Sequence, residues 1–240
     1  MRRVLPAVAA LLLLAGCRVD VGVEVDADAD GTGRVEAVVT LDAAAAERVP
    51  DLADQLEVDD LTAAGWAVEG PEPTEDGGVR VEASKGFRSP QEAAQVVEEL
   101  SGPGGPFRDF RLSRSRSFLK TRTSFEGAVD LSGGIEAFSD EGLRRRFGGS
   151  ALGFDRAELE RRLGTTFDRI FGFRVAARLP GEVASNAPGG AAVWEPQLGQ
   201  SITLSATSEE WNTRNIGAAA VSALAALAFV VVVAHRLRRR

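Results

Sequence analysis

The sequence predicts an α+β domain: a mostly antiparallel β-sheet with helices packed on one face, plus one C-terminal transmembrane helix. Three observations carry this. Short runs alternate apolar with polar residues and arrive in adjacent pairs. Alanine- and leucine-rich stretches with helix-start signals are inserted between those pairs. A nearly unbroken apolar run over 216–234 then ends on His235-Arg236-Leu237-Arg238-Arg239-Arg240.

The two ends set the expected location. Met1-Arg2-Arg3 precedes an apolar stretch over 4–14, giving a secretory signal over 1–16 that is too brief to span a bilayer. Leu14-Ala15-Gly16-Cys17 resembles a bacterial lipobox, which implies a diacylated, palmitate-type cysteine at the mature terminus; Cys17 is the lipidation candidate. At about 1.5 Å per residue, the run over 216–234 approaches the roughly 30 Å hydrocarbon layer. The basic tail over 235–240 then points to the cytoplasm. Between the ends lie a domain over 17–209 and a juxtamembrane linker over 210–215, in which Trp211 suits a membrane interface. The expectation is a lipid-anchored, single-pass protein of the cell membrane with an extracytoplasmic domain.

Composition excludes several functions. The net charge is −7, and every acidic residue falls between the two ends, while Arg2, Arg3, Arg236, Arg238, Arg239 and Arg240 lie outside. The domain is therefore more acidic than the whole chain, which argues against nucleic acid as a partner. It has no histidine and no tyrosine, and Cys17 is the single cysteine. Ser-His-Asp and Cys-His catalysis, ordinary zinc sites and disulfides are thereby removed. No cofactor, no metal and no catalytic residue is expected. A carboxylate-pair hydrolase stays open, without a spacing that points to it.

Along the chain, Val19, Val21, Val23 and Val25 alternate with Asp20, Glu24 and Asp26, and Val35, Ala37, Val39 and Leu41 repeat the pattern, predicting a hairpin with one buried face. Its loop, Asp26-Ala27-Asp28-Ala29-Asp30-Gly31, opens like a calcium loop, but the twelfth position is Ala37 rather than an acid, and strands flank it. An acidic solvated turn is the better reading. Residues 42–64 read as helical with a break near Pro50, and 66–69 and 79–83 as strands. Ser89-Pro90-Gln91-Glu92 starts a helix whose stripe is Ala93, Val96, Val97 and Leu100, stopped at Gly102.

Residues 107–125 form a long strand, or two strands joined by a bend. Arg108, Arg114, Arg116, Lys120 and Arg122 share a face with Phe110, Leu112 and Phe118, opposite Ser113, Ser115, Ser117, Thr121 and Thr123. This basic, partly aromatic face suits anionic head groups, but a merely solvated face offset by the domain's acidic excess is the better reading of the stripe alone. The small hydroxyl face leaves space for a cavity beneath a packed helix. Helices follow over 143–147 and 155–163, a strand over 171–179 with Arg174 and Arg178 outward, and closing strands at 193–194 and 202–204.

Gly65-Trp66 with Val68, Leu100-Ser101-Gly102-Pro103-Gly104-Gly105-Pro106-Phe107, Ser113-Arg114-Ser115-Arg116-Ser117-Phe118, Val129-Asp130-Leu131-Ser132-Gly133-Gly134, Leu179-Pro180-Gly181 and Trp194, in that order, resemble the LppM lipoprotein family of actinobacteria. The resemblance implies a surface-exposed envelope lipoprotein with an α/β domain that binds amphiphilic envelope lipids. No catalytic residues carry over with it.

Two functions are expected. In the first, a non-enzymatic domain binds or presents an anionic amphiphile such as a glycolipid; Arg114, Arg116, Lys120 and Arg122 meet the head group, and Phe110 and Phe118 line the apolar part. In the second, a structural or assembly lipoprotein binds another envelope protein.

Overall fold

The computed structural model describes residues 17–48, 59–101, 105–134, 137, 160–161 and 165–239. The signal over 1–16, the break near Pro50, the stop at Gly102 and the helix over 143–147 lie outside them, as does nearly all of the helix expected over 155–163.

The strands are β1 (Val19–Ala27), β2 (Gly33–Leu41), β3 (Ala67–Pro73), β4 (Val79–Phe87), β5 (Phe107–Arg116), β6 (Lys120–Asp130), β7 (Phe171–Arg178), β8 (Glu182–Ser185), β9 (Val193–Trp194) and β10 (Ser201–Trp211). They form two sheets, one ordered β3-β4-β2-β1-β7-β9 and the other β5-β6-β10-β8. The helices are few: α1 (Ala43–Arg48), α2 (Asp59–Ala63), α3 (Pro90–Ser101), α4 (Phe167–Ile170) and α5 (Thr213–Arg238). This corrects the α+β expectation of one sheet with helices on one face. The described domain is mostly β, and a second sheet does most of the covering that helices were expected to do.

The reason lies in the faces. On the first sheet Val23, Val25, Val35, Ala83, Phe173, Val175 and Ala177 turn inward and are buried. Asp20, Glu24, Glu36, Glu82, Arg174 and Arg178 occupy the other side, where Arg178 pairs with Glu24 at 2.9 Å and Arg80 with Glu82 at 2.7 Å. The second sheet presents Leu112, Phe125, Val129, Leu204 and Ala206 to the same core. Each sheet is thus apolar on one side, and the two sides bury one another. Helix α3 fills the remaining gap with Ala93, Val96 and Val97. Its start is as expected: Ser89 Oγ accepts from Glu92 N–H at 3.3 Å, and Glu92 accepts from Arg88 N–H at 2.8 Å.

Pairing is antiparallel except between β1 and β7, which run parallel, Val19 beside Phe171 and Asp26 beside Arg178. β1 and β2 form the predicted hairpin with one buried face, Val25 opposite Val35. Trp194 closes the far end, stacked on Phe125 with ring centroids 5.7 Å apart. Its indole N–H donates to Asn186 Oδ1 at 2.8 Å, which also accepts from Ser205 N–H at 3.0 Å, while Asn186 Nδ2 donates to Thr203 O at 2.9 Å. Asn186→Ala leaves two donors and one acceptor without partners and is expected to cost about 2 kcal/mol. A urea-unfolding midpoint equal to that of the parent protein would refute this accounting.

The transmembrane helix is corrected too. Among the described residues no helix is long and apolar enough to cross a membrane. Helix α5 starts at Thr213 and takes in His235 and Arg238. Five alanines, Gly217 and Ser222 make up more than half of the side chains described in its first half, beside Ile216, Val221 and Leu224, and a methyl group gains little on leaving water. Nor do residues 210–215 form a linker: β10 runs to Trp211, and Asn212 alone separates it from the helix.

Candidate functional site

The predicted basic stripe is folded in two. β5 and β6 form a hairpin around Ser117-Phe118-Leu119, and its register shifts between Arg108 and Arg111. At the shift Asp109 has φ 50° and, with Phe110, stands opposite the single residue Gly127, a β-bulge. The extra residue reverses the alternation. Arg108, Lys120 and Arg122 end on the outer face, and Arg114 and Arg116 on the inner one.

Outside, Lys120 Nζ donates to Glu209 Oε2 at 2.6 Å and Arg122 Nη2 to Glu209 Oε1 at 2.5 Å. Lys120 also lies over the Trp211 ring, 4.3 Å from its centroid. Hydrogen bonds from Lys120, then from Arg122, together with their charges, hold the Glu209 carboxyl at about 2, against an ordinary 4.5. A depressed carboxylate contributes stability above its unfolded value and loses it as pH falls toward the folded one. Parent protein and Glu209→Gln should therefore differ in stability at neutral pH and converge between pH 4.5 and about 2. A difference that persists unchanged at pH 2 would contradict the linkage.

Inside, three rows cross β5, β6 and β10: Leu112, Phe125 and Ala206; then Arg114, Thr123 and Ser208; then Arg116, Thr121 and Glu210. The first row is core. In the second, Thr123 and Ser208 are still buried, yet both are polar, and in the third so is Thr121. Thr121 Oγ1 donates to Asn212 Oδ1 at 3.1 Å. Ser208 Oγ and Arg114 Nε are buried without any hydrogen-bond partner. The half-buried Arg114 side chain crosses toward the first sheet between Gly31 and Pro90; a Cβ on Gly31 would stand 3.3 Å from Arg114 Cδ. The sheet thus passes, within one residue spacing, from an apolar wall to a row with two buried donors that have no partner.

The other predicted residues are dispersed. Phe110 belongs to the core, edge-on to Phe125 at 4.7 Å between centroids. Phe118 lies at the hairpin tip, exposed, so the two aromatics do not line one pocket. The hydroxyls separate as well: Thr121 and Thr123 are buried, Ser113, Ser115 and Ser117 exposed. Cys17 Sγ sits ahead of β1 in a small cluster with Leu41, Ala45 and Ile170. In the acidic turn, Asp30 accepts from Thr32 Oγ1 at 2.7 Å and from Thr32 N–H at 3.0 Å, which lowers its pKa; Arg114 adds a smaller contribution. Among the described residues no group of acids, histidines or cysteines is placed to hold a metal ion. Sequence reasoning missed Ser208, although Ile202, Leu204, Ala206 and Ser208 continue one alternation into it.

No family model matches the chain, and no curated protein matches it. Among solved structures it is similar to the NMR structure of the folded domain of the LppM protein of Mycobacterium tuberculosis, with 16% identity and a TM-score of 0.43. The match covers 83% of this chain and 94% of that one. That protein bears the name of the family which the ordered motifs resemble.

Proposed function

We propose that the protein is a non-enzymatic envelope lipoprotein, acylated at Cys17, whose extracytoplasmic domain binds an anionic amphiphile. The head group lies at Arg114, Thr123 and Ser208, with Arg116 at the rim. One observation carries this reading: Arg114 Nε and Ser208 Oγ are buried without partners beside an apolar wall. A buried donor without an acceptor costs about 1–3 kcal/mol, and an oxyanion supplies the missing acceptor. Strands about 4.8 Å apart put Ser208 and Arg114 on either side of Thr123 in one row. Lys120 and Arg122 take no part, because Glu209 occupies both. The absence of histidine and tyrosine from the domain supports binding rather than catalysis. Acylation requires the Cys17 sulfur to leave its cluster, a displacement of the residues ahead of β1.

The test is lipid retained by the purified protein, read by mass spectrometry of the intact complex. The parent protein should carry an anionic lipid, and Arg114→Gln should weaken its retention roughly tenfold or more. Retention unchanged in Arg114→Gln, or no anionic lipid on the parent protein, would sink the proposal.

A further inference from the structure

Far from the core, the β5–β6 turn and the end of β10 form one exposed apolar tip. Phe118 is 61% exposed, Leu119 49% and Trp211 57%. Exposed aromatics at a flexible loop end mean little, but this tip is held. All three turn carbonyls accept hydrogen bonds from the segment entering α5: Ser117 O from Asn212 Nδ2 at 2.8 Å, Phe118 O from Asn215 Nδ2 at 2.9 Å, and Leu119 O from Asn212 N–H at 2.8 Å. Across the turn Ser117 Oγ accepts from Lys120 N–H at 3.0 Å. The carbonyls that would otherwise need water are satisfied from behind, so the apolar side chains project from a backbone that is already paired.

The charges around the tip are selective. Arg116, Lys120 and Arg122 stand against Glu209 and Glu210, a positive local balance on a chain of net −7. Exposed apolar residues continue from the tip along α5, with Ile216, Val221, Leu224 and Phe229. An indole beside a lysine, with phenylalanine and leucine at the apex and cations behind, is the arrangement that a membrane–water interface selects.

We infer that the β5–β6 turn and Trp211 form a lipid-surface docking tip, which seats Phe118, Leu119 and Trp211 in the interfacial layer of a bilayer, with Arg116 at the head groups and the Glu209-paired Lys120 and Arg122 behind it. The inference rests on the reading of the protein as membrane-held, and it concerns a surface that shares only Arg116 with the proposed head-group site. Docking at this tip fixes which end of the sandwich faces lipid.

The three tryptophans make it measurable. Trp66 and Trp194 are each 3% exposed, so Trp211 alone reports on the surface. The full chain is reconstituted with vesicles of equal parts phosphatidylcholine and phosphatidylglycerol whose acyl chains are brominated near the head groups. Trp211→Phe gives the baseline of the two buried indoles. Bromolipid should quench the Trp211 component, and Phe118→Ser with Leu119→Ser should remove roughly half of that quenching or more. Emission from Trp66 and Trp194 verifies that the double variant is folded. A vesicle-bound chain whose Trp211 remains open to a water-soluble quencher overturns the docking tip and leaves the membrane-held reading intact. Trp211 shielded by protein concentration rather than by lipid overturns it in favour of a second copy of the chain. A chain that stays off the vesicles altogether overturns both.

Discussion

Phe125→Ala should cost the domain about 4 kcal/mol, the largest loss expected from any single truncation in this core. Phe125 is fully buried and lies where the sheets meet. It takes the edge of Phe110 on one side and the face of Trp194 on the other. Phe110 is placed there by the bulge, and Gly127 makes the room, since a Cβ at 127 would meet Phe110 Cδ2 at 3.0 Å. Truncation at 125 therefore removes the ring, both aromatic contacts and the filling between Leu112 and Ala206 in one change. Loss from the collapse of the second sheet would also release Trp194, visible as a red shift of its emission. A urea-unfolding loss below about 1.5 kcal/mol would mean that the neighbours refill the space, contrary to the packing described.

Gly181→Ala should cost about 3 kcal/mol, for two reasons that add. Gly181 has φ 88°, a backbone conformation that side chains rarely adopt, and its Cβ would collide with the backbone carbonyl of Glu209. The turn after β7 therefore lies directly against the strand whose Glu209 bridges Lys120 and Arg122. The substitution should show itself twice, as lost stability and as a Glu209 carboxyl titrating closer to its ordinary range. A fully stable variant with an unmoved Glu209 would show that this turn relaxes independently of β10. This gives Leu179-Pro180-Gly181 a physical role: the glycine lets the turn leading into β8 lie against the backbone of β10.

Much of the first sheet was legible in the sequence because one of its faces is wet. Asp20, Glu24 and Asp26 interleave with valines so regularly that β1 has only one way to face the core. The same holds for the strand beginning at Phe171. What alternation does not encode is which strand lies alongside and in what direction, and so the parallel β1–β7 pairing was missed. The second sheet was harder. Its hairpin turns through Ser117-Phe118-Leu119, which contains no glycine, proline or asparagine to mark it, and the bulge at Asp109 reverses the alternation a second time. A stripe read as continuous therefore became two faces. The expected single pocket for Phe110, Phe118 and four cations divided into a core ring, an exposed tip, a Glu209 pair and two inward arginines. Thr207-Ser208-Glu209-Glu210 reads as polar connection to the last helix, yet it is strand, because β6 supplies a partner along its whole length.

The parallel neighbour of β1 has a consequence for the order of events when the chain is made. β1 and β2 emerge first, but β1 gains its second partner only when β7 appears, after nearly three-quarters of the sequence. β6 likewise waits for β10, over roughly half that interval of sequence. Neither sheet is complete until the last third of the polypeptide is present. Closing such distant pairs is slow, and during the delay the open edges of β1 and β6 are templates for wrong partners. A chain of this topology completes neither sheet while its last strands are still unmade. Its maturation then depends on how quickly the final strands arrive and on what shields the early ones until they do.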